Sequence, residues 1–183
     1  QYSITVAEYP DRLCEQAVAE GQAEVGFAIA PVDSRSFDAR ELFCSKSCLA
    51  VHRDSPLAGR KSIAIADLKR VPLMVMNESF KVYRNLLSCC REAGFEPTIS
   101  FKAGEASVMQ KLVADGGDPA VSVDFICKEF QRPEVVAVPL EGGALDWRPT
   151  LIRRRGEDLS APAAAFWRFM GKRFPTEKAE GKK

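Results

Sequence analysis

Short apolar strands alternate with amphipathic helices along almost the whole chain, and that alternation restricts the fold more than any other feature of the sequence. Each strand must bury two faces and each helix one stripe, so the economical solution is a layered α/β architecture with parallel or mixed sheets. Residues 3–6 read as a strand. A helix opens at Pro10-Asp11 with Asp11 as N-cap, places Leu13, Cys14, Ala17 and Val18 on one face and stops at Gly21. Val25, Phe27 and Ile29 then alternate in a strand that ends before Pro31. The opening strand–helix–strand run is the signature of a parallel unit.

Strands follow at 40–44 and 48–52. A surface turn occupies 54–60, and a short strand and one-turn helix capped by Asp67 lie within 63–68. Residues 72–76 form a buried strand. A helix over 80–93 carries Val82, Leu86, Cys90 and Ala93 on one stripe and is stopped by Gly94. Ile99 and Phe101 mark the next strand. Gly104-Glu105-Ala106-Ser107 opens a helix with Val108, Met109, Leu112 and Val113 inward, ended by Gly116-Gly117. Strands at 120–123, 135–140 and 147–153 and a helical turn at Asp124-Phe125 complete the pattern. In the last helix, 160–174, Ser160 is N-cap, Pro162 sits in the first turn, and Ala163, Trp167, Met170 and Phe174 face inward. The charged residues 176–183 read as a frayed tail.

Composition excludes several function classes. With 26 basic and 25 acidic residues among 183, the chain has no overall field to hold a polyphosphate. The cluster Arg153-Arg154-Arg155 reads as a solvated strand end. No apolar run approaches the about 18–20 residues that span a bilayer. Six cysteines (14, 44, 48, 89, 90 and 127) show no metal spacing and fall in apolar segments. They read as buried free thiols of a reducing, cytoplasmic compartment. The single histidine, His52, has no orienting acid nearby in sequence, no nucleophile elbow, phosphate loop or dinucleotide fingerprint occurs, and Glu15 and Glu20 read as solvated helix charges. Neither enzyme chemistry, metal nor cofactor is expected.

Five ordered blocks carry a family resemblance. Glu24-Val25-Gly26-Phe27-Ala28-Ile29 is the first. Cys48-Leu49-Ala50-Val51-His52 leading into Ser55-Pro56-Leu57-Ala58, with an insertion after His52, is the second. Ile65-Ala66-Asp67-Leu68 with Val71-Pro72-Leu73, then Cys90-Arg91-Glu92-Ala93-Gly94-Phe95-Glu96-Pro97, and then residues 112–120 from Leu112-Val113 to Pro119-Ala120, complete the set. In order and spacing they resemble the effector-binding domains of LysR-type transcription regulators over essentially the whole chain. Asp118-Pro119 and Val123-Asp124 depart from the family pattern at the rim of its effector site.

The resemblance implies two α/β lobes like periplasmic binding proteins of type II, mixed sheets flanked by helices, with a ligand cleft between them. Lobe I would comprise residues 1–69 and 142–183, and lobe II residues 70–141. It also implies that the family's first strand and helix, its winged helix-turn-helix and its linker helix lie outside this sequence. The expected partners are a small effector, a second or further copy in a homodimer or homotetramer, and promoter DNA reached through the absent domain. A transport solute-binding protein shares the two-lobed design and is the alternative.

Ligands of open α/β sheets bind beyond the carboxyl ends of strands, beside helix N-termini. That rule selects Asn77, Glu78, Ser79 and Phe80; Gly104, Glu105 and Ser107; and Val123, Asp124 and Phe125, with Ala30, Pro31 and Val32 from lobe I. Backbone N–H groups and hydroxyls there suit a carboxylate or other anionic effector such as an organic acid, whereas Asn77, Ser79 and Ser107 read equally as plain helix caps, and Glu78, Glu105 and Asp124 either favour a cationic or neutral ligand or form salt bridges outside the cleft. Cys90 resembles the second cysteine of peroxide-sensing members of the family, but Lys81 stands near the place of the first.

Overall fold

The computed structural model describes residues 3–175, so the tail expected at 176–183 lies outside the described residues. The chain forms two compact units, one of residues 1–44 with 148–183 and one of residues 45–147, and it passes between them twice. The boundaries expected at 69/70 and 141/142 thus differ from the observed ones, at 44/45 and 147/148. The reason is β3 (Ser47–His52), which lies inside the second unit's sheet between two of its strands and takes residues 45–69 with it.

The first unit is built on a three-stranded antiparallel sheet. Among the described residues, β1 (Gly26–Ile29) and β2 (Phe37–Glu41) each pair only with the central β8 (Pro149–Arg154). α1 (Asp11–Ala19) packs on one face, where Val18 joins Ala28, Phe37 and Ile152 in a small core. α5 (Ala161–Arg173) lies along β1 and β2, with Phe166 edge-on to Phe27 at 6.1 Å and the Arg40 and Arg153 guanidiniums over the Trp167 ring.

Three expectations change here. Residues 3–10 make no ladder, and Val6 is 87% exposed, because an extended segment becomes a strand only with a neighbour to bond. The opening is therefore not a parallel strand–helix–strand unit; Pro10, not Asp11, is the N-cap of α1. In β1 the inward face carries Gly26 and Ala28, while Phe27 is 52% exposed. α1 comes so close that a Cβ at Gly26 would stand 2.8 Å from Val18 Cγ2, so only small residues fit that face.

The second unit holds a five-stranded mixed sheet in the order β5-β4-β6-β3-β7, from β4 (Leu73–Met76), β5 (Ile99–Ala103), β6 (Ala120–Val123) and β7 (Val135–Pro139). β4 runs parallel to β5 and β6, and β3 runs antiparallel to β6 and β7. Both faces are buried. On one, Leu49, Val51, Leu73, Val75, Val121 and Val138 meet Leu86 and Cys90 of α2 (Lys81–Glu92) and Leu68 of a 3-10 helix, Ile65–Arg70. On the other, Ala50, Met74, Ala103 and Ala120 meet Met109 and Val113 of α3 (Ala106–Ala114). Small strand residues on this second face let α3 lie close.

Within these elements the expected stripes hold at Leu86, Cys90, Met109 and Val113, whereas Ala93 and Val108 face solvent. Asp67 is not the cap of the 3-10 helix; it sits in its first turn and accepts the Ala64 N–H at 3.3 Å. Left-handed glycines end α1, α2 and α3 at Gly21, Gly94 and Gly116, as read from the sequence. The arginine cluster is neutralised locally: Arg153 holds Asp38 with two nitrogens at 2.9 and 3.1 Å, and Arg154 pairs with Glu157.

Candidate functional site

Three of the four groups of candidate residues come together at one sheet edge. β5, β4 and β6 are adjacent and parallel, so the turns that follow them emerge on the same side. Asn77–Phe80 leads from β4 into α2, Gly104 and Glu105 lead from β5 into α3 with Ser107 in its first turn, and Val123 ends β6 where α4 (Asp124–Glu129) begins with Phe125 in its first turn. The first two turns touch: a Cβ at Gly104 would meet Asn77 Nδ2 at 3.7 Å, and the Asn77 N–H donates to Ala103 O at 2.8 Å. Ala30, Pro31 and Val32 belong to the other unit. They follow β1, with the Ala30 N–H donating to Arg148 O at 3.0 Å, a cis peptide joining Ala30 to Pro31, and Val32 against that unit's core.

None of Asn77, Ser79 and Ser107 caps a helix with its side chain. Phe80 and Glu105 hold the N-cap positions of α2 and α3, and neither of their side chains caps its helix. Asn77 Oδ1 instead accepts the Ser79 N–H at 3.0 Å, and Ser107 Oγ donates to Glu105 at 3.4 Å. The start of α4 is different. Buried Ser45 takes the Phe125 N–H on its hydroxyl oxygen at 3.0 Å and donates its proton to Asp124. This cap comes from 80 residues upstream, and no local sequence signal announces it.

Two carboxylates at the edge are already compensated. Glu78 pairs with Lys102, which also stands 4.9 Å over the Tyr83 ring; the ammonium holds Glu78 below the usual carboxylate range. The Ser45 hydroxyl and then Lys128, 3.0 Å away, hold Asp124 below it as well. Beside them Asp146, its side chain 2% exposed, binds Lys46 at 2.8 Å and accepts the Ser47 N–H at 3.0 Å. Burial raises this carboxyl, but the Lys46 and Ser47 contacts outweigh it, and its pKa falls below the ordinary value.

The cysteines divide. Cys48 and Cys90 are buried, Cys14, Cys89 and Cys127 half-buried, and Cys44 exposed, so the uniform burial expected from the sequence fails at Cys44. None of the six is in a disulfide. Among the described residues no cluster of three or more His, Cys, Asp or Glu side chains could hold a metal, and no helix is long and apolar enough to cross a membrane.

A family model for the LysR substrate binding domain matches residues 1–175. An uncharacterized HTH-type transcriptional regulator of Bacillus subtilis, YwbI, is 23% identical over 83% of this chain and 50% of its own length. The transcriptional dual regulator GltC of the same organism is 22% identical over 76% of the chain and 47% of its own. The chain thus spans about half the length of these relatives. The regulatory domain of Synechocystis PCC6803 CcmR, solved in complex with 2-PG, superposes with a TM-score of 0.80 over 91% of this chain and 80% of that one, at 13% identity.

Proposed function

This chain belongs to the LysR substrate-binding-domain family, and from that premise we propose that it senses a small effector on behalf of a DNA-binding transcription regulator. The observation that carries the location is the edge of the second unit, where three turns follow three adjacent parallel strands and lead into helix starts whose N-cap residues, Phe80 and Glu105 for α2 and α3, offer no capping side chain. Uncapped N–H groups at a helix start favour an anion. Lys102 and Lys128 offset the charge of Glu78 and Asp124, and the Ser107 hydroxyl donates to Glu105, which reduces the edge's repulsion of a carboxylate. We therefore assign Asn77, Glu78, Ser79, Phe80, Gly104, Glu105, Ser107, Val123, Asp124 and Phe125 to the effector site, and assign an organic acid as the effector class.

Family membership favours regulation over the transport alternative. The reading gives the chain no catalytic step, a cytoplasmic location, a homodimer or homotetramer as working state, and promoter DNA as a partner through the portion of the regulator outside this sequence. A ligand acts by preferring one of two conformations, and the attached DNA-binding parts report that preference. The test has two parts. A thermal-shift panel of organic acids and uncharged metabolites on the chain is expected to yield an acid whose effect disappears in Asn77→Ala and Gly104→Val. The full-length regulator is expected to retard its promoter DNA in a manner that this acid alters. An effector indifferent to both substitutions overturns the site, and a full-length protein that ignores its promoter overturns the function.

A further inference from the structure

The second unit contains a pair of thiols that the effector reading does not use. Cys48 on β3 and Cys127 on α4 are 79 residues apart in sequence, and their sulfurs stand 3.6 Å apart. Cys48 shares a register position with Ser122 on β6, and both face the helices. Gln110 of α3, only 1% exposed, donates its amide to Cys127 Sγ at 3.2 Å and to Ser122 Oγ at 3.4 Å, while its carbonyl oxygen has no partner. Ser122 Oγ lies 3.7 Å from Cys127 Sγ. A buried amide aimed at a sulfur, with a hydroxyl beside it, is a poor environment for a neutral thiol and a good one for a thiolate.

We propose that Cys48 and Cys127 form a reversible disulfide site, oxidised by a hydroperoxide, that ties α4 to β3. The proposal goes beyond the effector reading and does not depend on it. The thiol of Cys48 donates to Cys127, and Ser122 and Gln110 assist, so the pKa of Cys127 lies below that of an ordinary cysteine; its partner's rises correspondingly. The half-buried Cys127 is therefore the attacking sulfur and the buried Cys48 the resolving one. Thiolate Cys127 attacks one peroxide oxygen: an S–O bond forms, the O–O bond breaks, and the departing hydroxide takes up the proton that Cys127 had released. Cys48 Sγ then attacks the sulfenic sulfur. The S–S bond forms, the S–O bond breaks, and the Cys48 proton leaves with that oxygen as a second water. Two thiols lose two electrons and the hydroperoxide is reduced. Closing the bond requires the sulfurs to approach from 3.6 Å to about 2.05 Å. Cys90, by contrast, is pushed up to about 11 by burial, and Cys89 beside it is raised too.

The test treats the purified chain with one equivalent of hydrogen peroxide, alkylates the remaining thiols and maps the peptides by mass. The expected product joins the Cys48 and Cys127 peptides with loss of two hydrogens, leaves Cys89 and Cys90 alkylated, and reverts with a dithiol. In Cys48→Ala the expected product is a sulfenic acid at Cys127 that a cyclic diketone probe traps; in Cys127→Ala neither product forms. Because core cysteine variants can fail to fold, the unmodified protein supplies a second readout. Without oxidant at neutral pH, Cys127 is expected to alkylate at least about tenfold faster than Cys90. Peroxide that leaves Cys48 and Cys127 fully alkylatable while other cysteines oxidise, or a Cys127 that alkylates no faster than Cys90, overturns the proposal.

Discussion

Asp146 shows how a charge is kept in a nearly closed site. Lys46, the Ser47 N–H and the Ser47 hydroxyl all favour its charged form and outweigh its burial, so its folded-state pKa lies below the ordinary aspartate value. A depressed carboxyl stabilises the fold at pH values above its unfolded pKa, and that stability is lost as pH falls through the folded one. Asp146→Ala is therefore expected to cost about 1.5–3 kcal/mol at pH 7 in a urea titration, and the deficit should shrink once the pH drops below about 4. An equal deficit at pH 7 and pH 3 would assign the effect to packing. Ser45→Ala removes a side chain that caps α4 and is expected to cost about 1–2 kcal/mol by the same measurement. These partnerships were not legible in the sequence, and neither was the thiol pair. Ser45 and Asp124, Lys46 and Asp146, Cys48 and Cys127 are joined only by the register of β3 against β6 and the loops around it. Asn77, read from the sequence as a helix cap or an effector contact, instead closes its own turn by accepting the Ser79 N–H.

Elements were readable to the extent that local chemistry specifies them. Glycines with positive φ ended helices where expected, and Ser160 caps α5 through the Ala163 N–H. The direction a strand faces is another matter. In β1 the alternation of Val25, Phe27 and Ile29 marks a strand without saying which face is inward, and the close approach of α1 gives that side to Gly26 and Ala28. Gly26→Val should consequently destabilise the first unit by about 1–3 kcal/mol through overpacking against Val18, visible as a lower melting temperature. Phe27→Ala, at a half-open contact with Phe166, should cost less. On α2, Leu86→Ala empties a fully buried position and is expected to cost about 2–5 kcal/mol in the same assay.

For the molecule as a whole, the order of strands and helices and the family blocks made the architecture readable, whereas the unit boundaries required knowing that β3 enters the second sheet. If the strand-end turns hold an effector, binding stabilises the folded chain by mass action, by about 2.7 kcal/mol at a hundredfold excess over Kd. A melting curve with the identified acid checks this, and a flat response removes the assignment. The arrangement of the first unit also governs the order of events on the ribosome. Among the described residues β1 and β2 bond only to β8, and the whole second unit is translated in between. At ordinary synthesis speed the first two strands wait on the order of ten seconds for their common neighbour. Meanwhile residues 45–147 emerge as one uninterrupted stretch and can close their own sheet. During that interval, nascent β1 and β2 are the segments of this sheet that a chaperone would have to shield.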